Sequence, residues 1–224
     1  MSTTELEARA QAHAALGDPH RLAIVDLLAF EDLASGELSA RLQLPTNLAA
    51  HHLRVLEQAG LITRLRSEGD GRRTYVTRTA ACNRLLGPAT LTRPSRVAFV
   101  CSANSARSQL AEHYWRTVSE VPVVSAGTHP AARVHPKAVA VARRHGLDLR
   151  TAQPKLAADT LAGDELVIAV CDRAFEDIDA DTDAFHWSVP DPALAEHPEA
   201  FETAFADITT RVTRLVASIE GARS

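Results

Sequence analysis

Cysteine is scarce in this chain. Cys82, Cys101 and Cys171 are the three among 224 residues. An odd, widely spaced set does not make the paired framework of a small secreted domain, and a reducing compartment suits it better. Long apolar runs are missing too, since no stretch approaches the roughly 18 residues that span a bilayer. Met1 to Ala10 carries acids where a secretory signal would be basic and then apolar. The expectation is a soluble, cytoplasmic protein with no membrane partner. Nor is there an excess of positive charge: 24 Lys and Arg stand against 28 Asp and Glu, a net of -4. That argues against a globally basic nucleic-acid coat, although a local basic surface stays open. No internal repeat or low-complexity tract supports a solenoid or collagen-like chain.

What is present suffices for a core, with 46% hydrophobic and 23% charged residues, so disorder is not the default. The length allows one large domain or two small ones. Charge distribution favours two. Ten basic and ten acidic residues precede Thr90, leaving 14 and 18 after it. Within the first part, Arg41 to Arg84 holds eight arginines against Glu57, Glu68 and Asp70, a concentrated net of +5. Between the parts, Gly87 to Ser95 contains two prolines and no apolar period. The organisation read from this is a domain over residues 1–86, a linker over 87–95 and a second domain over 96–224.

In the first domain, Glu5–Leu16, Arg21–Ala29, Leu38–Leu42 and Leu48–Ala59 place apolar residues three and four apart and predict helices. Asp18-Pro19 opens the second, and Gly60 ends the fourth as a left-handed cap. Leu61–Leu65, the Glu68-Gly69-Asp70-Gly71 turn and Arg72–Thr77 predict a hairpin. Helices followed by a basic hairpin describe a mainly α winged helix. Its helix-turn-helix would expose Asn47, Ala50, His51 and Arg54 to a major groove, with Arg72 and Arg73 on the wing against the backbone or minor groove of double-stranded DNA. A fold of this kind also serves as a protein interaction module. Adjacent His51 and His52 point to different helix faces and lack a spaced ligand set, so no metal is assigned.

Ala15-Leu16-Gly17-Asp18-Pro19-His20-Arg21-Leu22, His52 to Leu61 and the Gly71–Tyr75 wing make this region resemble the arsenic-repressor family of winged helix-turn-helix regulators. The resemblance implies a homodimer on a two-fold related operator, with the first helix and the one near Ala80–Leu86 at the dimer contact. Arsenic-sensing members carry a cysteine pair before the helix-turn-helix. This chain has Ala34-Ser35-Gly36 there, so that thiolate site is not carried over.

In the second domain, the apolar run Arg96–Val100 leads into Cys101-Ser102-Ala103-Asn104-Ser105-Ala106-Arg107-Ser108 and an amphipathic stretch from Gln109 to Thr117. This predicts strand, loop and helix. The backbone N–H groups of Ser102, Ala103, Asn104, Ser105 and Ala106, with Arg107, can wrap a tetrahedral oxyanion at the helix N-terminus. Cys101 at this electropositive mouth would be a thiolate nucleophile, Ser108 its hydrogen-bond donor and Asn104 a tie within the loop. Val121–Gly127 and Glu165–Cys171 predict further strands, and Pro136–Gly146 and Phe201–Glu220 predict helices. Alternation of this kind implies an α/β parallel sheet with its active loop at the carboxyl ends of the strands.

The Cys101–Ser108 loop with Gln109–Glu112, Ser125-Ala126-Gly127-Thr128 and His186–Ala193 resembles the low-molecular-weight tyrosine phosphatase fold, and within it the arsenate reductases. Asp191-Pro192-Ala193 lacks the aromatic residue that usually follows in the phosphatases. The resemblance implies that Cys101 attacks arsenate, that Asp191 protonates the departing oxygen, and that Cys171 resolves the adduct as a Cys101–Cys171 disulfide. The third cysteine of the internal cascade is absent. No bound cofactor is implied, but an external thiol reductant of the thioredoxin, mycoredoxin/mycothiol or glutathione type is. Ala106 stands where many relatives have cysteine and Ala103 where many have glycine, which questions the loop's backbone shape. Cys171 as an ordinary buried cysteine, and Cys82 as a structural one, fit the pattern as well. Two other functions remain open at this level: a non-catalytic sensor of arsenate or phosphate-like oxyanions, and a phosphatase.

Overall fold

The computed structural model describes residues 3–87, 89–178, 182–195 and 197–220. Pro88 of the expected linker and the outer ends of both expected domains lie outside these. The chain divides into two compact units, residues 1–67 with 71–89 and residues 68–70 with 90–224. No helix among the described residues is long and apolar enough to cross a membrane.

The first unit runs α1 (Thr3–Leu16), α2 (Pro19–Leu27), β1 (Leu33–Ala34), α3 (Ser35–Arg41), α4 (Thr46–Gln58), β2 (Ile62–Arg66), β3 (Thr74–Arg78) and α5 (Ala80–Leu86). Asp18 caps α2, its Oδ1 accepting from the N–H groups of His20 and Arg21 at 2.9 and 3.1 Å, with Pro19 where a missing N–H costs nothing. Gly60 ends α4 at φ 67°, as expected. The tight turn between α3 and α4 instead places Gln43 at φ 52°. Bonds from Gln43 N to Ala40 O and Leu44 N to Ser39 O close that turn. The sheet is antiparallel, ordered β1-β3-β2. β1 pairs Leu33 with Val76 and Ala34 with Tyr75, a strand too short for periodicity to reveal. Ile24, Leu28, Leu33, Leu53, Leu56, Leu61 and Val76 form the centre of the core, with Cys82 among them.

The second unit runs β4 (Val97–Cys101), α6 (Arg107–Val118), β5 (Val123–Gly127), α7 (Pro136–Arg144), α8 (Ala157–Thr160), β6 (Leu166–Ala169), α9 (Asp172–Asp177), β7 (Ala184–His186) and α10 (Ala200–Glu220). Its four strands are parallel, ordered β5-β4-β6-β7. β4 is buried throughout, as a parallel strand covered on both faces should be. α6 packs on β4 and β5, α10 on α6 and α7, and α9 against β4, β6 and β7. Strand order reverses between β4 and β6, and the crevice outside the carboxyl ends at such a switch point is where ligands bind in open parallel sheets.

Phe99, fully buried in β4, meets Trp115 and Trp187 at ring-centroid distances of 5.8 and 5.7 Å. Phe99→Ala opens a cavity between two indoles. The expected loss is about 3–5 kcal/mol from the unfolding free energy of this unit, read by urea denaturation followed through tryptophan fluorescence.

Candidate active site

The carboxyl end of β4 delivers Cys101, and α6 begins at Arg107, so the intervening loop spans the N-terminus of a 12-residue helix. Its carbonyl groups are taken up on one side. Thr128, His129, Ala131 and His135 donate their N–H groups to the carbonyl oxygens of Cys101, Ser102, Ala103 and Ser105 at 2.8 to 3.2 Å. All peptide bonds are trans among the described residues, so each N–H points opposite to the carbonyl of its own peptide unit. The N–H groups of Ser102, Ala103, Asn104 and Ala106 therefore face away from the 128–135 segment, as a cradle for an anion requires. Left-handed backbone falls on Asn104, at φ 46°. Ala103 has no positive φ, so glycine is not needed there, and the doubt raised by its alanine is removed.

Asn104 is fully buried and organises the loop. Its Oδ1 accepts the backbone N–H of Lys155 at 2.8 Å and Nε2 of Gln109 at 3.1 Å. A backbone amide can only donate, so the orientation of the carboxamide is fixed. Its Nδ2 then donates to Oγ of Ser108 at 2.8 Å and Oγ of Ser125 at 2.9 Å. Having accepted there, Ser125 donates to the Glu112 carboxylate. Ser108 Oγ lies 3.0 Å from Cys101 Sγ, with its hydroxyl hydrogen available to a sulfur anion there. Glu112, Ser125, Gln109 and Lys155 are the parts of this network that sequence reasoning left without a role. Glu112, five residues past Arg107 on the same helix, was the available signal.

Arg107, only 6% exposed, donates Nη1 to the Val189 carbonyl and Nη2 to Oδ2 of Asp191, both at 2.8 Å. Burial works against its charge, but Cys171, Cys101 and Asp191 more than offset this and raise its pKa above the ordinary value. Asp191 Oδ1 also accepts the Ala193 N–H at 3.0 Å. Cys171 follows β6, and its sulfur lies 3.7 Å from Ser102 Oγ while accepting the Ala174 N–H. Burial pushes its thiol pKa up, against the pull of Arg107. All three cysteines are free. Cys101, Ser102, Asn104, Arg107, Ser108, Cys171 and Asp191 are thus brought to one end of the sheet. In the first unit, Asn47, Ala50, His51 and Arg54 share one exposed face of α4, whereas His52 is buried beneath it; Arg72 and Arg73 are exposed in the hairpin.

Gly127 lies beside Cys101 in the sheet. A methyl group there would stand 2.6 Å from the Ser102 carbonyl oxygen and 2.9 Å from Asn104 N. Gly127→Ala is expected to weaken inorganic phosphate binding by about tenfold or more through displacement of the loop. Calorimetric titration beside the parent protein checks this, and equal affinities would show that the loop absorbs the methyl group.

Comparison with known proteins bears on both units. Residues 16–64 match a helix-turn-helix domain family, and residues 96–224 match the low molecular weight phosphotyrosine protein phosphatase family. A glutaredoxin arsenate reductase of Synechocystis is 31% identical over 142 residues, covering 55% of this chain and 98% of that protein. A solved arsenate reductase in its oxidised state is 30% identical with a TM-score of 0.50, over 56% of this chain and 98% of the other. The tyrosine phosphatase Wzb of Escherichia coli, crystallised with sulphate, shares the fold at 18% identity, with a TM-score of 0.50 over 56% of this chain and 98% of its own. Because the family match takes in more than half of the chain and the whole parallel-sheet unit from β4 to α10, this protein belongs to the low molecular weight phosphotyrosine protein phosphatase family.

Proposed function

We propose that the chain is an arsenic-responsive transcriptional regulator fused to a thiol-dependent arsenate reductase, organised as residues 1–86, a linker over 87–95 and residues 96–224, and working in the cytoplasm. The observation that carries the enzymatic half is the second thiol. A phosphatase needs one cysteine at its oxyanion loop, but reduction of arsenic needs two electrons from a thiol pair. Cys171 stands against the loop that begins at Cys101.

In this reading the N–H groups of Ser102, Ala103, Asn104, Ser105 and Ala106 and the Arg107 guanidinium hold arsenate. The Cys101 thiolate attacks arsenic, and the departing hydroxide takes a proton from Asp191 and leaves as water. Cys171 then attacks Cys101 sulfur. The S–S bond forms, the S–As bond breaks with its electron pair left on arsenic, and As(V) becomes As(III). The Cys171 proton passes to the departing arsenite. Cys82 sits in the core of the other unit, so an external dithiol, or a small thiol of the glutathione or mycothiol type, reduces the disulfide. Trp187 is buried against Phe99, and exposed Ala193 follows Asp191-Pro192, which favours a small oxyanion over an aryl phosphate.

Cys101→Ser is expected to abolish arsenate-dependent thiol oxidation. In a single turnover, Cys171→Ser should allow the adduct to form while stopping release of arsenite. The pH dependence of that release has a definite sign. Attack requires the Cys171 thiolate, burial raises its pKa, and the reactive fraction below that pKa grows about tenfold per pH unit. Release should therefore still be rising at a pH where an ordinary thiol has levelled off. A rate independent of pH between 7 and 9 would remove Cys171 from the step.

For the regulatory half, the exposed α4 face bearing Asn47, Ala50, His51 and Arg54, with Arg72 and Arg73 in the hairpin, supports binding of operator DNA by a homodimer. If Arg72 and Arg73 contact phosphates, replacing either with Ala should weaken binding to any duplex. It should also flatten the slope of log affinity against log salt by about 1. Fluorescence anisotropy over a salt series measures both.

A further inference from the structure

His52 presents an anomaly that DNA binding does not use. It is 5% exposed, and neither ring nitrogen has a hydrogen-bond partner among the described residues. Two unsatisfied buried nitrogens are costly, and a native site of this kind calls for a missing partner. The groups nearest them are the Asp18 carboxylate, whose Oδ1 is 3.8 Å from Nδ1 of His52, and His20, whose Nδ1 is also 3.8 Å from that oxygen. The two imidazole rings stack at 5.3 Å. One donor atom from each of the three residues falls within 4.8 Å of the others.

We propose that Asp18, His20 and His52 form a binding site for a divalent transition metal of the zinc class, linking the start of α2 to the middle of α4. One carboxylate and two imidazoles are ligands that such an ion accepts, leaving a fourth position for water. Bonds of about 2.0–2.2 Å in tetrahedral geometry need donor atoms about 3.4 Å apart, so donors held within 4.8 Å of one another must close by up to about 1.4 Å. His20 is exposed and can supply that movement. Burial lowers the pKa of His52, against the pull of Asp18, and so favours the neutral ring that binds metals. Hydrogen bonding from the Arg21 N–H lowers the pKa of Asp18 and keeps it anionic. The opposing charges are Arg21, whose Nη1 lies 3.8 Å from Asp18 Oδ2, and the start of α2 itself. The guanidinium approaches through Oδ2, whereas Oδ1, the proposed donor, also accepts the N–H groups of His20 and Arg21. His51 packs edge-on against the His52 ring at 5.7 Å and is exposed.

The test uses the full chain carrying Cys101→Ser and Cys171→Ser, so that thiolates do not compete. Zn(II) is titrated by calorimetry and Co(II) by its visible absorption. One equivalent should bind in each case. His20→Ala removes an exposed ligand, and Asp18→Asn keeps a good helix cap while weakening the donor. Either change should reduce affinity by about tenfold or more, with the circular dichroism spectrum unchanged. Absence of stoichiometric binding, or equal affinity in the parent and both variants, overturns the site.

Discussion

The candidate active site depends on one constraint, the orientation of a single buried carboxamide. The Lys155 amide has a hydrogen to give and nothing to accept with, so Asn104 must present its oxygen there. Everything else follows by elimination. The Nδ2 hydrogens go to Ser108 and Ser125, the Ser125 hydroxyl donates to Glu112, and the Ser108 hydroxyl stands 3.0 Å from Cys101 Sγ. The polarity of a thiol's environment is thus set by a backbone group 54 positions further along the chain. Loop and network also support each other. The left-handed turn at Asn104 is a conformation that asparagine tolerates better than most residues, and four bonds to its side chain hold it there.

Topology supplies the second requirement, a pair of sulfurs. Parallel strands that are neighbours in a sheet end side by side. With β4 central and β6 next to it, the last residue of β4, Cys101, and the residue two beyond the end of β6, Cys171, come to the same edge from positions 70 apart in sequence. The two thiols face different conditions. Cys101 lies against Ser108, whereas Cys171 accepts the Ala174 N–H at the start of a six-residue helix with Ser102 Oγ 3.7 Å away, and burial raises its pKa. That asymmetry suits a sequence in which one sulfur attacks first and the other waits until the first carries a leaving group.

Much of this was legible in the sequence. The apolar strand, the Cys101–Arg107 spacing and the helix after it marked the loop, because each is a local pattern. The spacing of Asn47, Ala50, His51 and Arg54 is local in the same way, and all four are exposed on α4. Features made by distant contacts were not legible. β1 and β7 have two and three residues, too few to show a period. The partner of Asn104 is a backbone amide, which has no sequence signature. His52 was weighed against its neighbour His51, although the groups that approach it come from the turn before α2. Helical periodicity says which way a side chain points, but not what waits there.

Resting charge in the pocket bears on how the proposed reaction would begin. The buried guanidinium of Arg107 already has a carboxylate against it, since its Nη2 donates to Asp191 Oδ2. An unpaired buried cation would be costly, and this ion pair offsets that cost. A tetrahedral oxyanion offers more oxygens and more charge than one carboxylate, and it can engage the loop's N–H groups together with Arg107. In the proposed reaction Asp191 is then released from Arg107 and left beside the departing oxygen. The same exchange accounts for why Asp191 is tied to the Ala193 N–H through its other oxygen, which keeps the carboxyl group at the mouth when its bond to Arg107 is lost.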